Sequence, residues 1–571
     1  MPSPEVAELV PSPRPSLPAE APPEAHALAR AAGLTVTIAD LMQRRGLTDP
    51  TELARFMDPK LSHLTPPDGM ADRDAAAERI AFAIQQGETI AVFGDYDCDG
   101  ITSAAIMTGI LRALGGTVVP LLASRFDGGY GVSPAAVERI AASSAKLLVT
   151  CDCGSSDHVT LTDVRARGLD VIVIDHHLVP DEPLPTVAFL NPHRPECAFP
   201  YKGLASCGLA LSVGAAVRAR LGQSLDLRVW LDLVAIGTIA DVAPLDGDNR
   251  ALVRAGLRTL AEGRRPGVRA LLELARFDAA HAPSGEDVAF RIAPRINAPG
   301  RLGKPDLALE LLLATSHEEA RAIGAEIERL STERRSIQEK MIVEAVREIE
   351  EAGYHERPAI VVGRAGWNHG IVGIVAGRLA SRYGKPVIAV GFEPSGHGRG
   401  SVRGPKGSRL HDALSQVQDV LERFGGHQAA AGVELRLDRL EDLREGFEKA
   451  CEAAPALAPE DEHADTVWLH AADSPARVLG DVARLEPCGQ GNPAPRVAVQ
   501  AELVAAREVK GGHLKLELEL PSSGRMSGFG VSMGARAGQL SGRVVVLGRL
   551  RRDAWRGGDA VEMRVEDVIG D

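Results

Sequence analysis

Three carboxylates fall at alternate positions in the stretch GDYDCDGITS, Gly94 to Ser103: Asp95, Asp97 and Asp99, followed at once by a glycine. Alternating oxygen ligands could serve a calcium loop of the EF-hand kind, which also needs a bidentate Glu at its twelfth position and a helix leading in. Here the twelfth position is Ile106, and the run before the aspartates, TIAVFG, is short, apolar and rich in β-formers. That reading is excluded. A phosphatase loop of the haloacid dehalogenase kind also follows a strand, and DCDGIT is similar to it. On these residues alone it stays open, as does a plain acidic turn.

Two more polar clusters follow apolar runs. Asp152 follows KLLVTC, and Asp175, His176 and His177 follow LDVIVI. The three runs have the length and composition of buried strands. In an open α/β sheet, residues at the carboxyl ends of separate strands converge on one crevice. Carboxylates gathered there repel one another unless divalent cations neutralise them. Five or more carboxylates with one or two imidazoles exceed the needs of one ion. They suit two ions about 3.5–4 Å apart sharing a carboxylate, the arrangement that hydrolyses phosphate esters. Oxygen-rich donors with imidazole favour manganese or magnesium over zinc.

The elements that must position these residues are those of an α/β domain: strand runs alternate with Ala-rich amphipathic stretches, which predicts a mostly parallel sheet. The chain of 571 residues, 45% hydrophobic and 25% charged, has room for three or four domains. Residues 1–28 read as a disordered Pro-rich tail, without the basic and apolar regions of a signal peptide. The uncharged stretch Gly203 to Val217 is too short to span a bilayer, so a soluble, cytoplasmic protein without membrane contact is expected. Seven scattered cysteines without a CxxC pair suit reduced thiols. A net charge of −13 argues against a polyanionic partner, yet Arg364 to Arg409 holds eight Lys or Arg against the single acid Glu393, so a locally basic surface remains.

GDYDCDGITSA, TCDCG, DHH and IGTIADVAPL, in this order, resemble the four motifs of the DHH phosphoesterase family. NPHRPECAFPYKGLASCG, RINAPGRLGKP, GWNHGIVGIVAGRL, GGHQAAAG and LEPCGQGNPAP resemble segments of that family's single-strand-specific 5′ exonucleases, over nearly the whole chain from about residue 30. The resemblance implies that Asp95, Asp97, Asp99, Asp152, His176 and Asp241 hold two Mn2+ or Mg2+ ions, with Asp152 bridging. His177 would face the substrate as proton donor or phosphate contact, and Asp175 would orient the imidazoles. Asp241 rests on the resemblance alone, since WLDLVAIGTIADV reads equally as helix or buried strand.

Beyond residue 315 a capping box at Ser316 and Glu319 opens a long helical pattern with Ile323, Ile327, Leu330, Ile337 and Met341 on one face. The following lobe resembles the accessory domain DHHA1. By that resemblance Ser401, Arg403 and His427 contact the nucleotide, as do Asn297 and Arg301 before the helix. Gly404 and Asn368 depart from the usual pattern, which has Ser and His there. From LEPCGQGNP onward short alternating strands predict an OB-like barrel, with Trp555 and Phe529 as its stacking surfaces.

The expected domains are therefore a catalytic DHH domain at 29–315, a connecting helix at 316–354, DHHA1 at 355–455 and the barrel at 465–571. The expected activity is metal-dependent 5′-to-3′ degradation of single-stranded DNA to 5′ mononucleotides, in repair and recombination. A helicase or a single-strand-binding protein is an expected partner. The alternatives are a DHH phosphodiesterase of short oligonucleotides or dinucleotides, and a non-catalytic replication scaffold. The dehalogenase-type phosphatase ranks last, since it leaves DHH and the later matches unexplained.

Overall fold

The structure, a computed structural model, describes residues 17–277, 283–426, 428, 430–453, 465–522, 524–553, 556–557 and 560–570. It divides into two compact units.

The larger unit begins with a parallel sheet of order β2-β1-β3-β4-β5, made of Thr89–Gly94 (β1), Thr117–Leu122 (β2), Leu147–Cys151 (β3), Asp170–Ile174 (β4) and Ala188–Leu190 (β5). Its central strands read as unbroken apolar runs because both faces are covered, as parallel sheets require. Ile90, Val92, Leu147, Val149, Ile172 and Ile174 face one core. Their alternate neighbours Ala91, Phe93, Leu148, Val171 and Val173 face another. The strand order reverses between β1 and β3, so their carboxyl ends flank the opening of the crevice.

On the first face lie the helices Cys98–Ala113, Ser206–Arg220 and Leu231–Ala240. Every residue from Leu231 to Ile239 is buried. That helix carries Asp241 at its end and is pressed against Gly247–Glu262 through Gly256, where an added Cβ would stand 2.2 Å from the carbonyl oxygen of Leu231.

The helix His317–Glu351 runs unbroken for 35 residues. Ala320 and Ile327 belong to the core of the first sheet, whereas Met341, Ala345 and Ile349 belong to a core of the second lobe. That lobe holds a mixed sheet of order β6-β7-β8-β10-β9: Ile360–Ala365 (β6), Val387–Phe392 (β7), His397–Arg403 (β8), Arg423–Gly426 (β9) and Ala430–Arg436 (β10). Gly404, in place of the usual serine, suits its surroundings: a Cβ there would lie 2.5 Å from the Ser408 hydroxyl. Asn368, the other departure, turns its side-chain oxygen back to accept the Gly370 N–H at 2.8 Å, ahead of the helix Val372–Tyr383.

The smaller unit is built around a closed barrel of five strands, Arg496–Val509 (β12), His513–Leu520 (β13), Gly524–Gly530 (β14), Arg543–Arg552 (β15) and Val561–Gly570 (β16), closed by the β12–β15 pairing. A short strand, Thr466–Trp468 (β11), adds to β12. Phe529 packs edge-on to His513, ring centroids 5.4 Å apart, with the Arg551 guanidinium 5.7 Å from its ring centre. Trp555 lies outside the described residues.

One domain boundary is corrected. The first helix begins at Pro23, inside the stretch expected to be an unfolded tail, and residues 17–60 belong with the barrel rather than with the catalytic domain. Proline is well placed at a helix start, where its missing N–H costs nothing. Leu28, Ile38, Leu41 and Leu53 then share the barrel's hydrophobic core. Asp481 accepts both the N–H and the hydroxyl of Thr35 at 2.8 Å, and Asp473 does the same for Thr37 at 2.9 Å. The rest of the expected tail, residues 1–16, lies outside the described residues. Among the described residues no helix is long and apolar enough to cross a membrane.

Because backbone blocks the space beside Gly256, Gly256→Ala forces two packed helices apart and should destabilise the larger unit by about 1–3 kcal/mol. A lower midpoint of urea unfolding, read by circular dichroism, is the expected result.

Candidate metal centre

The eight residues picked out at strand ends and in IGTIADV meet in the crevice above β1, β3 and β4. Possible ligand atoms of Asp95, Asp97 and Asp152 lie within 4.8 Å of one another, and so do those of Asp99, His176 and Asp241. A third such group joins Asp152 to His176 and His177. Asp152 is thus shared, with His176, between groups that together take in seven of the eight residues. Asp175 belongs to none.

Local structure explains each position. Asp97 caps the helix Cys98–Ala113, accepting the N–H groups of Asp99 and Gly100 with one oxygen. Asp99, the second residue of that helix, accepts the N–H groups of Ser206 at 2.8 Å and Cys207 at 3.1 Å, so it sits at the positive end of the helix Ser206–Arg220. Ser206 donates its hydroxyl to Asp152 at 3.0 Å. Asp152 adopts left-handed backbone, φ +66, at the end of β3, a conformation that aspartate tolerates better than most residues. Asp241 caps the helix Leu231–Ala240 from its carboxyl end.

Asp175 is fully buried and works through its neighbours. One oxygen accepts the N–H groups of His176 and His177 and lies 2.8 Å from His177 Nδ1, while the other accepts the Ser155 N–H. Tyr130 Oη lies 3.0 Å from the same His177 nitrogen and donates to the Asp152 carbonyl at 3.2 Å. With both acceptors on the Nδ1 side, that nitrogen carries a hydrogen; it also lies 3.8 Å from Asp152 Oδ1.

Burial, then the field of neighbouring carboxylates, pushes Asp95 and Asp152 well above the usual carboxylate range. The same causes lift Asp241 to about 8. Burial also raises Asp99, although His176 and the Cys207 contacts oppose it. Burial works against Asp175 too, but His177 and Ser155 hold it down to about 2. Burial lowers His176. For His177 the effect of burial is outweighed by Asp175, Asp241 and Asp97, which raise it to about 9.

This donor set fits divalent cations. Asp95 Oδ1 and His176 Nε2 are buried without a hydrogen bond, which costs free energy unless something else takes their lone pairs. His176 Nε2 lies 3.3 Å from Asp152 Oδ1 and 3.8 Å from Asp241 Oδ1, so one ion could bind all three. The raised carboxylates make the same point, because a cation would remove the repulsion that raises them.

A group of arginines lies beside Asp95. The Arg125 guanidinium stacks on Tyr96, 3.8 Å from the ring centre, and its field opposes the rise of Asp95. Arg301 donates to the Gly370 carbonyl at 2.9 Å. Burial, with Arg125, Arg334 and Arg403 nearby, lowers Arg301 to about 9. Arg403 donates to the Ser401 hydroxyl at 2.9 Å, and burial and Arg125 lower it as well. Mutually repelling, partly buried arginines are a site prepared for an anion. Asn297 lies one turn ahead of Arg301 on the helix Ala293–Arg301, and His427 lies outside the described residues.

Sequence reasoning missed Arg125, Tyr130 and Ser206. The first two follow β2 in SRFDGGYG, so the strand-end rule applied to the aspartates would have found them. Ser206 lies in the segment NPHRPECAFPYKGLASCG, but no spacing or residue type there assigned it a role.

The chain matches the models of the DHH family N-terminal domain at residues 89–238, the DHHA1 domain at 356–453 and the RecJ OB domain at 467–567. It is similar to the single-stranded-DNA-specific exonuclease RecJ of Bacillus subtilis (strain 168), 35% identical over 547 residues that cover 94% of this chain and 68% of that one. The crystal structure of RecJ in complex with Mn2+ from Thermus thermophilus aligns with TM-score 0.81 and 30% identity, over 97% of this chain and 79% of that one. The Mg2+ complex of RecJ from the same organism aligns with TM-score 0.76 and 30% identity, over 96% and 77%.

Since Asp241 rises to about 8, it carries a proton at pH 7 in the metal-free protein, and cation binding must displace it. Calorimetric titration with Mn2+ at pH 7, in buffers of different ionisation enthalpy, should show net proton release, with affinity increasing from pH 6 to pH 8. The sign for stability is opposite. A carboxyl raised on folding stabilises below its unfolded value and loses that contribution as pH rises through about 8. The melting point of the metal-free protein should therefore fall across that window more steeply than that of Asp241→Asn.

Proposed function

Because the chain belongs to the RecJ family of single-stranded-DNA-specific exonucleases, we propose that it removes nucleotides from the 5′ end of single-stranded DNA by metal-dependent hydrolysis. The observation that carries this reading is the pair of buried atoms without a hydrogen bond, Asp95 Oδ1 and His176 Nε2, among raised carboxylates beside a group of arginines. Asp95, Asp97, Asp99, Asp152, His176 and Asp241 are the residues that would hold two cations, with Asp152 between them. Manganese or magnesium bound there would supply an activated water and offset the charge that builds on the phosphoryl oxygens.

The chain's own residues do the rest. Asp175 and Tyr130 fix the His177 ring. Asp175 raises the affinity of His177 for protons, and the imidazole can hold a phosphoryl oxygen or give a proton to the leaving one. Arg125, Arg301, Arg403 and Ser401 grip the terminal phosphate, which sets polarity and limits each cut to one nucleotide. Asn297 and His427 complete the nucleotide contacts. Such an activity serves DNA repair and recombination in the cytoplasm, with a helicase or a single-strand-binding protein supplying substrate.

The reading is tested with single strands labelled at either end, incubated with Mn2+ beside duplex DNA and dinucleotides. Labelled mononucleotide should appear early only from the 5′-labelled single strand, and chelation should stop it. Release from the 3′ label first, or faster hydrolysis of dinucleotides, defeats the proposal. Asp152→Asn should abolish turnover while leaving the circular dichroism spectrum unchanged, because it removes the charge but keeps the size of the side chain and a residue that tolerates left-handed backbone. Arg403→Ala should weaken binding alike for all sequences and lower the slope of log affinity against log salt by about one.

A further inference from the structure

Val242 follows Asp241 in left-handed backbone, φ +61. Its N–H donates to the Ile239 carbonyl and the Ala243 N–H to that of Thr238, both at 3.2 Å, which closes the helix Leu231–Ala240 in a Schellman turn. Glycine is the usual residue at this position because it has no Cβ to clash. A β-branched side chain there is a genuine outlier. Strain of this kind persists where the surroundings enforce it and clusters at ligand sites.

The hydrophobic core does not explain it, since Val242 is 64% exposed. The side chain lines a cavity of about 1260 Å³ together with His176, His177, Leu178 and Asp241. Leu178, which follows His177 directly, is itself 69% exposed. Two large aliphatic groups thus stand in water at the rim of a charged centre, one of them on unfavourable backbone. The arginine group acts on Asp95, and this cavity is lined from the His177 and Asp241 side. A strand whose terminal phosphate meets the arginines, and whose next phosphate is at the centre, continues through the cavity.

Resting on the exonuclease reading above, we propose that Val242 is a substrate-contact residue. With Leu178 it forms an apolar lip that packs against the base on the 3′ side of the bond being cut and so holds the reacting phosphate in place. Every base has an apolar face, so such a lip grips without reading sequence. In a duplex those faces are stacked and unavailable, so the lip also favours single strands.

The test is steady-state cleavage of a long 5′-labelled single strand by the full chain. Val242→Gly removes the side chain and relieves the backbone. Its melting point should rise while its KM rises about tenfold, with kcat much less affected and Mn2+ affinity, measured by calorimetry, within about twofold of wild type. Leu178→Ala should raise KM in the same way, and Val242→Ile should keep the wild-type KM. An unchanged KM in Val242→Gly overturns the lip. So does a loss of Mn2+ affinity in step with activity, which would mean that Val242 only places Asp241. A wild-type protein that cleaves no single strand overturns the exonuclease reading and the lip together, whereas cleavage with a KM that Val242→Gly leaves unmoved overturns the lip alone.

Discussion

Everything around the centre answers to one constraint: several carboxylates are buried in a single crevice, and like charges at that spacing repel. The fold manages the repulsion by distributing compensation. Asp99 is met by the amino end of a helix, Asp152 by the Ser206 hydroxyl, and Asp175 by backbone N–H groups and the His177 imidazole. Asp95 Oδ1 and His176 Nε2 remain without a hydrogen bond. Next to raised carboxylates, such atoms are suited to an ion. The centre is therefore better described as a negative well with a prepared outline than as a set of separate ligands.

The opposite charge comes from both lobes, Arg125 and Arg301 from the first and Arg403 from the second. Burial, and then the nearness of Arg125, lowers the affinity of Arg301 and Arg403 for protons. Positive and negative strain thus stand side by side and offset each other only in part, since the field of Arg125 opposes the rise of Asp95 but leaves it well above the usual carboxylate range. Substrate and cation relieve both at once. This is the physical sense in which an otherwise acidic protein, net −13, accommodates a polyanion.

Much of this was legible in the sequence because strand ends are legible: an apolar run that stops at Asp95, Asp152 or Asp175 announces both the strand and the crevice. The α/β class, the long helix and the closing barrel followed from periodicity. Asp241 was harder, because Leu231 to Ile239 is buried all round and so shows no helical stripe. The helices from Pro23 to Met57 were misassigned for a different reason. Their partners Asp473 and Asp481 lie more than 430 positions away, and no local pattern encodes which distant surface an amphipathic helix will choose. Arg125 and Tyr130 stood in a glycine-rich loop, where function leaves no period to read.

The helix His317–Glu351 has a bearing on how this chain can vary. It is anchored in one core through Ala320 and Ile327 and in another through Met341, Ala345 and Ile349. A residue inserted between those anchors turns everything beyond it by about 100°. Arg403 on the second lobe would then swing away from Arg125 and Arg301, although every side chain in the centre was intact. Substitutions along the exposed face leave this phase untouched. Length is different: only changes close to whole turns, such as seven residues for two, return both anchors to the same side. The helix is thus a rigid phase-keeper, and its residue count is as much a part of the active site as the aspartates.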